Sequence, residues 1–229
     1  MQRDMTNLPL PTDEKSWRYV ESIYAEPDPC KLARERAVEL HSHVVSPSTG
    51  ATLQFLLQLS KSENVVEVGT GTGGASYWIA SSLGRNAQFT SIDAEGQHYK
   101  YAKEMLADFE NSTRVRLIHG KPLEVLPRLA DETYDAVVIS EHSRNLAEII
   151  EEALRMVSLD GLIILLNALG DQKVGDLTQR DEKTVSLRLV VQGLLKDSRL
   201  HCNLLTTGDG ILVMRVIGRE YIKPESSTI

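Results

Sequence analysis

The chain has only two cysteines in 229 residues, Cys30 and Cys202, far apart and outside any C-x-x-C or zinc-type spacing. Neither a disulfide framework nor a cysteine metal centre is suggested, and free thiols in a cytoplasmic protein are the expectation. Basic charge is also scarce: 25 Lys and Arg stand against 32 Asp and Glu, for a net charge of −7 with no dense Lys/Arg block. That balance excludes the basic stripe of a nucleic-acid groove. Aromatic residues make up 5%, with Trp17, Tyr19 and Tyr24 the main N-terminal exceptions, so no stacking platform is evident. No apolar run is long enough to span a membrane, and the polar start has no signal-peptide core. No internal repeat or low-complexity tract occurs.

What is present is a 41% hydrophobic chain with material for one α/β domain. Residues 1–14, polar and carrying Pro9 and Pro11, read as a flexible tail. Residues 15–229 read as a single domain, with N-terminal helices to about residue 60 and a sheet core over 64–217. Its organising stretch is Val65-Val66-Glu67-Val68-Gly69-Thr70-Gly71-Thr72-Gly73-Gly74-Ala75-Ser76. An apolar run with one carboxylate, then alternating glycines, then helix-compatible residues predicts a strand turning sharply into a helix. Glycine admits positive φ and close approach of a ligand, and the helix start offers unpaired N–H groups. Gly69, Gly71 and Gly74 fit the dinucleotide spacing G-x-G-x-x-G, while Gly69, Gly71 and Gly73 after Glu67 fit an S-adenosylmethionine turn. By spacing alone the two cofactors start level.

Helical patterns precede this turn at Trp17–Tyr24, at Leu32–Leu40, and from Ser46-Pro47-Ser48 through Leu53, Leu56, Leu57 and Leu59. After it, Phe89–Asp93 reads as a second strand whose terminal Asp93 lies about twenty residues past the last glycine, the offset of a ribose-binding acid. His98, Tyr101, Ala102, Met105, Leu106 and Phe109 form a packing face. Strands follow at Val115–Ile118, Tyr134–Ile139 and Leu162–Leu166, with helices at Glu124–Leu129, Leu146–Val157 and Arg180–Lys196 between and after them. The runs Leu200–Thr206 and Ile211–Ile217 around Thr207-Gly208-Asp209-Gly210 predict a terminal hairpin.

That hairpin puts an antiparallel strand into an otherwise parallel sheet, as in the seven-stranded class I methyltransferase fold, Rossmann-like with helices on both faces. Together with Glu67 and the helices before the first strand it favours S-adenosylmethionine over a nicotinamide. The segments Val45-Ser46-Pro47 with Gly50, Val66 to Gly73, Ser91 to Glu95, Gly120 with Glu124-Val125-Leu126, Tyr134-Asp135 and Gly208-Asp209-Gly210 resemble, in that order, small bacterial O-methyltransferases. The likeness is to relatives of catechol and caffeoyl-CoA O-methyltransferase, closest to an actinobacterial branch, over residues 17–217.

The resemblance implies an S-adenosylmethionine-dependent O-methyltransferase acting on a small hydroxylated acceptor, commonly as a homodimer. It implies that Val45 borders the cofactor, that Glu67 hydrogen-bonds it, and that Gly69, Thr70, Gly71 and Gly73 form its cradle. Asp93 would hold the ribose hydroxyls, with Ala94 and Gly120 about the adenine. The family serine after the glycines falls on Ala75, with Ser76 adjacent as a substitute.

At the chemistry the sequence departs from metal-dependent relatives, which hold a divalent cation with acids ending the fourth and fifth strands. Here the matching residues are Ser140 and His142, then Leu166 and Asn167. A hard cation takes carboxylate and water oxygens, so no divalent metal is expected at that position. A softer ion held by His142 with Glu141 stays open as an alternative. Ser140 and Asn167 are then assigned to the substrate, Ser140 also to catalysis, and His142 is either the general base or a contact to the methionine part of the cofactor. His41, His43, His98, His119 and His201 read as surface or packing residues. Two alternatives are a homologue that binds S-adenosylmethionine or its product without transfer activity, and an NAD(P)-dependent oxidoreductase. The latter lacks a Tyr-x-x-x-Lys or similar hydride-transfer constellation.

Overall fold

The structure is a computed structural model and describes residues 13–40, 42–109, 113–140 and 143–221. The apolar runs form strands β1 (Asn64–Val68), β2 (Gln88–Asp93), β3 (Arg114–His119), β4 (Tyr134–Ile139) and β5 (Val157–Leu166), all mutually parallel. The terminal hairpin supplies β6 (Leu200–Leu205) and β7 (Ile211–Val216). β7 lies antiparallel between β5 and β6, and the seven-stranded order is β3-β2-β1-β4-β5-β7-β6.

Alternation along the strands splits the core. Val65, Phe89, Ala136, Val138 and Ile164 face one way, where helices α3 (Pro47–Leu59), α4 (Gly74–Ser82) and α5 (Gly96–Leu106) cover the sheet with Leu53, Leu57, Ile79 and Leu106. Val66, Val68, Val137, Ile139 and Ile163 face the other way, under α6 (Pro122–Val125), α7 (Leu146–Met156) and α8 (Glu182–Leu194). Two helices precede α3: α1 (Glu14–Ile23) and α2 (Asp28–Glu39).

Several boundaries differ from the sequence reading. The expected tail lies outside the described residues as far as position 12, but Asp13 caps α1 by accepting from the Ser16 N–H at 2.8 Å, so Glu14 is already helical. Leu59 is exposed on α3 and not buried. β5 begins at Val157, before Asp160-Gly161, because Asp160 takes a positive φ of 68° and the register shifts there without ending the strand. α6 is one turn long and passes into a 3₁₀ turn at Leu126–Arg128, where Pro127 has no N–H to continue an α-helix.

The strand order reverses between β1 and β4, which lie side by side while β1 leads to β2 and β4 leads to β5. In open α/β sheets ligands bind at the carboxyl ends of the strands beside that reversal.

Candidate active site

The turn after β1 forms as its glycines require. Gly69, Gly71 and Gly73 have φ of 90°, 55° and 91°, a region costly for residues with a Cβ. Gly73 occupies the N-cap of α4 with no side-chain cap, so the first N–H groups of that helix are left for other acceptors. Thr72 anchors the turn to α2 by donating from Oγ1 to the Ala33 carbonyl at 2.8 Å.

Above the turn lies a cavity of about 410 Å³, a size suited to a small-molecule ligand. Val45, Gly69, Thr70, Gly71, Ala75, Asp93 and Ala94 line it, with Ser140 and Asn167 at the tips of β4 and β5. Most of the residues assigned to the cofactor from sequence are therefore brought together. Asp93 is buried at the tip of β2, and its carboxylate accepts from the N–H of Gly71 at 2.7 Å and of Glu95 at 2.8 Å. His98 Nδ1 lies 3.2 Å from the same carboxylate. The acid thus shapes the turn as well as facing the cavity.

Four of the assigned residues do not line the cavity. Glu67 is fully buried beneath α4, where its carboxyl oxygen Oε2 accepts from Ser76 Oγ at 2.5 Å and Ser91 Oγ at 2.6 Å. Ser91 is in turn 2.6 Å from Thr70 Oγ1. Burial pushes the Glu67 carboxyl up to about 8, against the opposing effect of those hydroxyls. Strand alternation is the reason: Glu67 shares the α4-facing side with Val65. Ser76, the substitute for the missing family serine, turns the same way and donates its hydroxyl proton to Glu67. Gly73 faces α5, since a Cβ there would lie 2.9 Å from Met105 Sδ. At Gly120 a Cβ would lie 3.1 Å from Val125.

At the other end, Ser140 Oγ and Asn167 Nδ2 are buried with no hydrogen-bond partner among the described residues. Buried polar atoms are ordinarily satisfied, so both are able to bond a group placed in the cavity. Both side chains are uncharged, unlike the carboxylates that a hard divalent cation prefers. Glu141 and His142 lie outside the described residues.

Sequence reading missed several lining residues. His43 and His98, assigned to surface or packing, both line the cavity, and so do Ser42, Glu95 and the α2 residues Cys30, Ala33, Arg34 and Ala37. His98 stands about one helical turn beyond Asp93 at the start of α5, a recoverable signal. Nothing local marks His43. Its imidazole is held below the ordinary value by burial and by Lys183, against the opposing effect of Asp171 and Asp209. Arg34 is held by Glu26 at 3.0 Å.

The family model described as O-methyltransferase matches residues 26–217. The chain belongs to that O-methyltransferase family. A Mycobacterium tuberculosis relative, also named for the O-methyltransferases, is 34% identical over 211 residues, covering 91% of this chain and 94% of its own. A solved protein of Corynebacterium glutamicum superposes with a TM-score of 0.80 at 26% identity, over 90% of this methyltransferase and 98% of that chain. TomG of Streptomyces achromogenes, an O-methyltransferase solved with SAM, superposes at 0.76 with 20% identity, over 91% and 100% of the two chains.

Proposed function

We propose that this methyltransferase binds S-adenosylmethionine in the cavity and moves its methyl group to a hydroxyl of a small acceptor, with no divalent metal at the tips of β4 and β5. The observation that carries the reading is the polarity of the cavity along the sheet. Asp93 stands at one end, on β2, and Ser140 and Asn167, whose Oγ and Nδ2 have no partner among the described residues, stand at the other, just past β4 and β5. Three strand spacings separate β2 from β5, about 14 Å at the usual ~4.8 Å per strand. That span suits an extended nucleoside joined to an amino acid.

In this arrangement Asp93, with Glu95 beside it, takes the ribose hydroxyls, and Ala94 borders the adenine. The backbone of Gly69 to Gly71 and the uncapped start of α4 receive the amino-acid part. Ser140 and Asn167 orient the acceptor, and much of the acceleration comes from aligning its oxygen with the methyl carbon. Glu67 acts from beneath, holding Ser76 and Ser91 and through Ser91 the turn at Thr70.

We further propose a homodimer working in the cytoplasm. α1 buries none of its residues within the chain and leaves Trp17, Val20, Ile23 and Tyr24 exposed, a surface a second copy would cover. Among the described residues no helix is long and apolar enough to cross a membrane.

Calorimetric titration with S-adenosylmethionine, S-adenosylhomocysteine and NAD, each with and without Mg²⁺, tests the cofactor. The first two bind, indifferent to metal, and NAD does not. Asp93→Ala weakens both roughly 10- to 100-fold, the worth of charge-assisted hydrogen bonds of ~1.5–3 kcal/mol. A preference for NAD, or affinity that appears only with Mg²⁺, would overturn the reading.

A further inference from the structure

We propose that His43 is the general base of the transfer, taking the proton of the acceptor hydroxyl as the methyl group arrives at its oxygen. This rests on the methyltransferase reading above and adds to it the residue that carries the proton.

The path of the connector between α2 and α3 supports the assignment. Ser42 lies over the glycine turn, 3.7 Å from where a Gly71 Cβ would stand, and Val45 lies 3.7 Å from a Cβ at Gly74. Ser46 has already reached the hairpin loop, with its Oγ 3.2 Å from a Cβ at Gly208. Ser42 and Val45, on either side of His43, thus both lie over the glycine turn, the connector reaches the β6–β7 loop only at Ser46, and His43 lines the cavity. The charges that reach His43 come from the β5–β7 side: Lys183 on α8, Asp171 in the loop after β5, and Asp209 in the β6–β7 loop. Asp209 is placed there by accepting from the Asp171 and Gln172 N–H groups at 2.7 and 2.9 Å.

His142, the base that the sequence offers, lies outside the described residues; the other titratable groups described in the cavity are poor choices. Asp93, Glu95 and His98 cluster at the opposite, β2 end. Arg34 stays charged and is paired with Glu26. Burial pushes the Cys30 thiol up to about 12, so it keeps its proton. Asp209, whose charge reaches His43, is tied to the end of β5 two residues past Asn167, its carbonyl accepting from the Leu169 N–H at 2.9 Å, and the lowered proton affinity of His43 leaves the imidazole neutral and able to accept one at neutral pH.

The step balances without a further reactant. The acceptor oxygen forms a bond to the methyl carbon, and the carbon–sulfur bond breaks with its electron pair passing to the sulfonium, which becomes the neutral thioether of S-adenosylhomocysteine. The hydroxyl proton goes to a ring nitrogen of His43 and then to water.

The test compares two probe acceptors, catechol and 4-nitrocatechol, the second already largely ionised at pH 7 and needing no base. With S-adenosylmethionine and catechol, His43→Gln lowers kcat at pH 7 by ~100-fold or more, with the KM for S-adenosylmethionine changed by no more than about twofold. With 4-nitrocatechol the loss is no more than about threefold, and the catechol deficit shrinks as pH rises and that substrate ionises unaided. Binding of S-adenosylhomocysteine to the variant, read by calorimetry, verifies that the site is intact. Equal losses with both probes, no loss with catechol, or a wild-type protein that binds S-adenosylhomocysteine yet methylates neither probe would overturn the role of His43 alone. Absence of cofactor binding by the wild-type protein would overturn the methyltransferase reading beneath it.

Discussion

Glu67 shows how one carboxyl group connects sequence, core and site. Its place beside the glycines suggests a ligand contact, but it sits in the core with one oxygen on two serine hydroxyls and the other, Oε1, without a partner among the described residues. The native protein holds the proton up to about pH 8, whereas the unfolded chain releases it near 4.5. Between those values the native state binds more protons than the unfolded one, so this group's contribution to stability falls as pH rises through the window and is level above it. Glu67→Gln removes that dependence, because a neutral amide replaces the carboxyl that must otherwise ionise in the core. Urea unfolding from pH 4.5 to 8.5 should show the variant gaining on the wild type as pH rises. A difference independent of pH would refute the assignment of a buried neutral acid.

At the scale of elements, the contact between α3 and α4 governs the start of the helix that faces the cavity. A Cβ at Gly50 would lie 2.1 Å from the Trp78 Nε1, so α3 approaches the indole closer than any other residue allows. Alanine is the better helix former by ~1 kcal/mol, yet Gly50→Ala should lower stability by a net ~1–3 kcal/mol through overpacking. It should also weaken S-adenosylhomocysteine binding, since Trp78 is carried on α4. Urea unfolding and calorimetry on the same variant read the two effects, and a stabilised variant would show that the contact is slack. The strand that the sequence reading shortened makes the converse point. Asp160-Gly161 looks like a turn, but Val157 to Asp160 still belong to β5 because neighbouring β4 accommodates the irregularity.

For the whole molecule, the unburied α1 leads to the proposed dimer. Trp17→Ser combined with Ile23→Ser should shift the protein from dimer to monomer in sedimentation velocity while leaving its folded core in place, because neither side chain is buried within the chain. A wild-type monomer would remove the proposal. The net charge of −7 opposes self-association through long-range repulsion, so the apolar face must outweigh it, and moderate salt should strengthen the dimer.

Sequence alone determined the alternation of strands and helices, the glycine turn, the acid ending β2 and the terminal hairpin. Each rests on local chemistry: period-two apolar runs, glycine at positive φ, a carboxylate at a strand end, and Gly-Asp-Gly between two strands. These local signals, with the matched segments in their order, were enough to indicate the family. Only tertiary structure decided which of those residues face the cavity. Glu67 and Ser76 turn into the core because the strand's pleat and the helix above it point them there. His43 and His98 enter the site because a connector and a helix start from distant parts of the chain pass over it. A side chain's neighbours across hundreds of atoms of packing leave no periodicity in the chain, so the proton acceptor proposed here could be found only in the fold.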